Sequence, residues 1–245
     1  MIVRILPLES KLFHRNVIRL SEWSNINELL QNESGLLHKY QPAYIYCELP
    51  ATDLISIHTL EQAGYRFSEF RVQTLLQTEE VDDVGSVIFP YKADFTADKT
   101  HLRLARKMLL AQRDDDRFSS DPLIGDEFAK KRVVRNLEKS FRRFPNEFVV
   151  GLFHIQTDEL LAFRTGAFLS QSEVHYYQYG VAQGREPDHT ANLLESLSIA
   201  LLRQHGVSII HAITTGYNIT ELNRLTRNHG FKMIGSTVMM RKIFD

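Results

Sequence analysis

One stretch constrains the fold more than any other: between Val174 and Phe231 the hydrophobic period passes from strand-like to helical and back, twice. Val174 to Val181 is rich in tyrosine and β-branched residues and reads as a strand, and Gln183 to His189 has turn chemistry. From about Thr190 to Gln204, Leu193, Leu194, Leu197, Leu201 and Leu202 recur at helical spacing, and Gly206 stands where a left-handed cap is expected. Ser208 to Ile213 is a short, mostly apolar run suited to a buried strand. Asn218 opens a second helix, with Glu221 three residues on as in a capping box, and Gly230-Phe231 closes it.

A related pattern stands earlier in the chain. Tyr44 to Leu49 is a strand, Asp53 caps a helix through Ala63, Gly64-Tyr65 ends it, and Glu69 to Leu76 returns as a strand. The later copy runs Ile209 to Ile213, Asn218 to His229, Gly230-Phe231 and Ser236 to Ile243, so that Gly64 and Gly230 lie 166 positions apart. Such units also arise by chance, but a repeat would make residues 1–77 a partial copy of the domain in 87–245. The acidic, polar run Gln77 to Ser86 then supplies a linker at 78–86.

The remaining elements follow from period and composition. Met1 to Leu6 has strand composition and Glu22 to Gln31 that of a short helix. Lys99 to Gln112 reads as a helix facing inward through Leu102, Ala105, Leu109 and Leu110. Glu127 to Phe144 is a basic amphipathic helix whose cations include Lys130, Arg132, Arg135 and Lys139. It is either a solvated face or a lure for an anionic substrate. Phe148 to His154 and Leu160 to Phe168 are strands joined by a polar turn, completing an antiparallel meander with the aromatic strand.

Composition excludes several classes. A net charge of −1 and 43% hydrophobic residues leave no nucleic-acid footprint. The single cysteine, Cys47, excludes an intramolecular disulfide and fits a reducing compartment. No run approaches about 18 consecutive apolar residues, so a cytoplasmic protein off the membrane is expected. Ten histidines stand without HExxH or a tight cluster, so no metal site is expected.

A strand, an anion-sized turn, a helix, a strand and an Asn-started helix ending in Gly-Phe together resemble the acetyl-CoA-binding half of the GCN5-related N-acetyltransferase (GNAT) superfamily. The resemblance implies an α/β (α+β) fold with a mixed, mostly antiparallel sheet flanked by helices and a partial N-terminal repeat. It also implies acetyl-CoA as co-substrate and a small-molecule amine as acceptor. In that family the turn carries Gln/Arg-x-x-Gly-x-Gly/Ala; counted from Arg185, Asp188 and Thr190 stand at the glycine places, and counted from Val181, Glu186, His189 and Ala191 fill the three places, of which only Ala191 fits. The final helix of the family carries a tyrosine four residues before its glycine, where this chain has Thr226, and an asparagine to which Asn218 corresponds one step out of register. A truncated copy ahead of a full one, followed by Arg117-Phe118-x-x-Asp121-Pro122, resembles bacterial dTDP-fucosamine N-acetyltransferases. That likeness implies a nucleotide-linked amino sugar as acceptor, lined by Arg117, Phe118 and Asp121, and a homodimer is left open.

Acetyl transfer needs an anion cradle, an oxyanion donor, a base and an acid. The cradle falls at Asp188 to Asn192, where a helix N-terminus favours an anion. Glu186, Asp188 and Pro187 oppose it, while Arg185 and His189 offset them. The oxyanion donor is expected in the backbone near Gly180. His175 and Glu173, on one strand face with Tyr177 and Tyr179, are candidate bases, as is a bound water. For the acid, Thr226 is a poor donor of protons and Tyr217 is the nearest phenol. If neither Tyr217 nor water serves, the chain is a binding protein that has kept the architecture without the catalysis.

Overall fold

The structure, a computed structural model, describes residues 1–23, 25–81, 85–111, 121, 124–143, 146–184 and 186–244. The first part of the chain gives β1 (Ile2–Ile5), α1 (Pro7–Phe13), β2 (Asn16–Ser21), α2 (Ile26–Tyr40), β3 (Pro42–Pro50), α3 (Leu54–Gln62) and β4 (Arg66–Gln77). A short hairpin, β5 (Val87–Ile88) and β6 (Tyr91–Phe95), leads into α4 (Lys99–Ala111) and α5 (Asp126–Phe141). Then come the meander β7 (Glu147–His154), β8 (Leu160–Phe168) and β9 (Glu173–Val181), followed by α6 (Pro187–Gln204), β10 (Ile209–Thr215), α7 (Ile219–Asn223) and β11 (Lys232–Ile243). The expected helix at 22–31 sits later, at α2, because Asn25 is the residue whose side chain accepts from the Glu28 amide.

The repeat is present in the order of elements: β2-α2-β3-α3-β4 answers β9-α6-β10-α7-β11. In both copies an Asx side chain starts the short helix, Asp53 accepting from Ser56 N and Asn218 from Glu221 N. The described strands form one sheet in the order β1-β2-β3-β11-β4-β10-β9-β8-β7-β6-β5. Each copy therefore gives its last strand away. β4 pairs antiparallel with β10, β11 pairs antiparallel with β3, and the two exchanged strands pair with each other in the middle.

One face of the sheet packs α2, α3, α6 and the turn that follows α7, through Leu29 and Leu60 on one side and Leu194, Leu197, Leu202 and Leu225 on the other. The opposite face carries α1, α4 and α5. Helix α5 spans both copies: Ala129 packs with Tyr44 and Met239, while Val133, Leu137 and Phe141 pack with Val149 and Phe163. No helix among the described residues is long and apolar enough to cross a membrane.

Candidate active site

Strands β9 and β10 run parallel, but they pair only from Glu173–Ile209 to Tyr176–Ala212. Beyond that point β9 stays with β8 to Val181 and β10 stays with β4 to Thr215, so the two diverge. Alternate amides of a strand point to opposite edges, and those of β9 facing the gap have lost their ladder partner. At the same level β9 bulges: Tyr177 and Gln178 together oppose Thr165, between the pairs Gly166–Tyr176 and Arg164–Tyr179. The Thr165 hydroxyl fills the broken ladder, accepting from Gln178 N at 3.1 Å.

The bulge corrects the expectation that His175, Tyr177 and Tyr179 share a face. His175 and Tyr177 point to the α5 side, their rings 5.4 Å apart. Tyr179 points to the α6 side, where its ring lies 5.0 Å from the Arg164 guanidinium and 4.1 Å from that of Arg224. Gly180 returns to the first side, under α4, where a Cβ would drive into the Phe163 ring and approach Met108 Cβ to 3.2 Å.

A cavity of about 690 Å³ opens at the divergence and reaches both faces of the sheet. On the α5 side it is lined by Glu69 and Arg71 of β4, the Arg132–Asn136–Lys139–Ser140 stripe of α5, Glu147, His175 and Tyr177. The sequence pattern held the signal for the α5 stripe, since those positions share one helical face. It held none for Glu147, Glu69 or Arg71.

Glu147 is the carboxylate of that lining whose proton affinity is raised. The Ser140 hydroxyl donates to it at 2.6 Å, and burial raises its proton affinity against the opposing pull of that bond and of Lys139. Register places Glu147, Ala167, His175 and His211 in one row across four strands. The methyl of Ala167 leaves a trough between the carboxylate and the imidazole. Burial, with His211 and Arg71 nearby, lowers the His175 pKa to about 4, so its ring is neutral near pH 7. Glu173 does not join it; its carboxylate lies 3.4 Å from His211 Nε2. The Tyr177 phenol is held protonated by burial and by Glu147.

On the α6 side the cavity ends at a buried charge cluster. Arg164 from β8, with 2% of its side chain exposed, meets Glu195 of α6 and Glu221 of α7, and Glu221 also pairs with Arg224. Beyond it lies a second cavity of about 260 Å³, lined by Asp188, Asn192, Thr220, Asn223, Arg224 and Asn228.

The residues of the expected cradle, Asp188 to Asn192, stand in the first turns of α6. Asn192 Oδ1 accepts from Asn228 Nδ2 at 2.9 Å, tying α6 to the π-helical turn Arg224–Asn228. Thr190, Ala191 and Val181 are buried and His189 is exposed. Helix α6 has no side-chain N-cap; Pro187 lacks an N–H, Thr190 N is bonded to Glu186 O, and the amides of Asp188 and His189 belong to the first turn, where a helix has no acceptor of its own to offer. Asn218 caps α7 and lines the larger cavity. Tyr217 is half exposed and lines neither cavity. Nor does Thr226, whose hydroxyl donates to Leu222 O at 2.8 Å. Asp121 lies away from both, accepting from Arg241 Nη2 at 2.9 Å. Arg117, Phe118 and Arg185 lie outside the described residues. Among the described residues no group of three His, Cys, Asp or Glu side chains could hold a metal ion.

The sequence matches no protein-family model and no curated protein. Solved structures do match along nearly the whole chain. A conserved protein of unknown function from Staphylococcus epidermidis superposes with a TM-score of 0.68 at 9% identity, covering 98% of this chain and 90% of its own. A GCN5-related N-acetyltransferase from Sphaerobacter thermophilus gives 0.66 at 12% identity over 98% of this chain and 76% of its own. A tandem GNAT protein from the clavulanic acid biosynthesis pathway gives 0.58 at 13% identity over 93% and 75%. The chain has the GNAT fold: a mixed, largely antiparallel sheet flanked by helices.

Proposed function

We propose that this protein is an acyl-CoA-dependent N-acyltransferase, with acetyl-CoA as donor and a small amine as acceptor. The observation that carries the reading is the divergence of β9 from β10 beside the Tyr177–Gln178 bulge, which opens a passage through the sheet between two differently lined faces. Unpaired strand-edge amides suit the amide-bearing arm of the donor. Its diphosphate would meet the Asp188 and His189 amides and the Asn192–Arg224 cavity.

The acceptor enters from the α5 side as an ammonium ion. Glu147 takes a proton from it, and the freed nitrogen attacks the thioester carbonyl carbon. Backbone amides of β9 near Gly180 hold the resulting oxyanion. The C–S bond then breaks, the departing thiolate takes the proton of Tyr177, the phenol beside the passage, and the tyrosinate takes the second proton from the nitrogen to leave the neutral amide, while Glu147 returns its proton to solvent. Neutral His175 orients the acceptor. These assignments replace Glu173 by Glu147 and Tyr217 by Tyr177, because the first of each pair lies off the cavity.

For the acceptor, an amino sugar on a nucleotide carrier fits the cationic stripe of α5. A non-catalytic reading, in which the chain binds CoA or another metabolite without turnover, draws on Glu186 and Asp188 at the cradle and on Thr226 in the place of a tyrosine. Calorimetric titration with acetyl-CoA, followed by thiol release with a panel of amines, tests the proposal. One-site binding and amine-dependent thiol release are expected; binding without release from any amine would favour the non-catalytic reading.

A further inference from the structure

Strand exchange puts a charged residue of the N-terminal copy into the acceptor face of the C-terminal one. Because β4 lies against β10, Arg71 stands opposite Thr215, the last residue of β10, at the open end of the divergence. Same-face alternation then sets Arg71, Thr215, Ile213 and His211 on the side of His175, and Arg71 contributes to lowering the proton affinity of that ring.

Arg71 is held rather than consumed. Its Nε donates to Glu69 Oε2 at 2.8 Å, and Nη1 lies 3.9 Å from Glu48 Oε2. Glu69 has 5% of its side chain exposed and Arg71 has 23%, so the carboxylate is the buried partner and the guanidinium the one that meets solvent in the cavity. A guanidinium carries five N–H donors in a rigid fork, and fixing Nε aims the remainder. Arg132 is held in a comparable way, its Nε 3.1 Å from Glu9 Oε1 of α1. The lining on this side holds three cations, Arg71, Arg132 and Lys139, and two carboxylates, Glu69 and Glu147, with Glu48 and Glu9 behind Arg71 and Arg132.

Resting on the acyltransferase reading, we infer that Arg71 reads an oxyanion on the acceptor, and that the acceptor is an amine whose phosphate or carboxylate stands several bonds from its nitrogen. The spacing follows from the sheet. Strands β9 and β4 are separated by β10, so their backbones are at least about 10 Å apart at two strand spacings, and the divergence widens this. With His175 on β9 and Arg71 on β4, a nitrogen beside the imidazole and an oxyanion on the guanidinium fit an acceptor whose two charges stand farther apart than the three bonds from nitrogen to oxygen of an α-amino carboxylate.

Matched acceptors test the assignment: an amino sugar, the same sugar bearing a phosphate, its carboxylate-bearing counterpart, and an α-amino acid. In the wild type the phosphate or the carboxylate should raise kcat/KM over the neutral sugar by roughly tenfold or more, the scale of one charge-assisted pair, and the better of the two identifies the anion. Arg71→Gln should collapse that ratio while acetyl-CoA affinity, measured by calorimetry, stays as in the wild type. Arg71→Lys should retain part of it. Equal use of neutral and anionic sugars by the wild type, preference for the α-amino acid, or an unchanged ratio in Arg71→Gln would overturn the inference. If Arg71→Gln alone fails to fold because Glu69 is left unpaired, Glu69→Gln with Arg71→Gln carries the same test. If no amine is acetylated, calorimetric binding of the phosphorylated sugar decides. Loss of that binding in the variant supports Arg71, whereas equal binding or none overturns it, and failure of acetyl-CoA to bind removes only the acyltransferase reading.

Discussion

Arg164 Nη1 donates to Glu221 Oε1 at 3.2 Å beneath the point where β9 and β10 part, so one ion pair joins the meander to the helix that follows the divergence. The same guanidinium holds Glu195, whose side chain is 0% exposed. Removing one partner of a buried pair leaves the other charged and desolvated, which costs about 3–5 kcal/mol. Arg164→Met should lower unfolding free energy by that amount in urea titration. Arg164→Met with Glu195→Leu should recover much of the loss, and a double-mutant cycle gives the coupling.

Glu147→Gln keeps the shape of the side chain and removes the base. Turnover with a working amine should fall by about 10²–10⁴-fold, the usual worth of a positioned proton acceptor, with acetyl-CoA binding retained. Tyr177→Phe should slow thiol release, and Tyr217→Phe should leave it unchanged. An inactive Tyr217→Phe would return the acid role to that residue.

The imidazole of His175 gives a pH signature with a definite sign. Its pKa falls from 6.5 to about 4 on folding, so between those values the unfolded chain binds more protons than the folded one. Stability is therefore undiminished above about pH 6.5 and declines as pH falls toward 4, by on the order of 3 kcal/mol in full. Urea titrations of wild type and His175→Gln across that window should converge at low pH if the wild type is the more stable at pH 7. A pH-independent difference would show that the ring titrates normally.

Gly180→Ala probes the floor of the passage. The added methyl meets Phe163 and the Met108 Cβ, a contact that backbone shift alone can relieve, so a loss of about 1–3 kcal/mol is expected, with a lower rate. Thermal unfolding and thiol release together check it.

Much of the architecture was legible in the chain. The aromatic strand, the leucine-spaced helix and the Asp53 and Asn218 caps all depend on neighbours within a few residues, and each is where its local signal put it. The expected β10 at 208–213 runs on to Thr215 because β4 supplies a partner for its last residues. The bulge was not legible, since period two carries straight through Tyr177 and Gln178; it depends on Thr165, a residue of another strand. Arg71 was hidden for the same reason at longer range. Its site is made by β10, and no local pattern names a partner more than 130 residues away. Within the charge cluster only Glu221–Arg224 is a local pair, three residues apart, whereas Arg164 and Glu195 each sit alone among uncharged neighbours in sequence and were likewise invisible. The division into 1–77 and 87–245 stays a proposal about ancestry of the two copies, for β4 and β11 complete each other's sheet rather than their own.

That exchange also sets a timetable for synthesis. Strand β11 (Lys232–Ile243) follows every other described strand in the chain, and it is the one that joins β3 to β4. Until those residues leave the ribosome, the nascent protein holds two half-sheets with adjoining open edges, a species that invites pairing with a neighbour on the same message. Strand β11 is thus the keystone of the sheet, the segment whose arrival turns two partial copies into a single body.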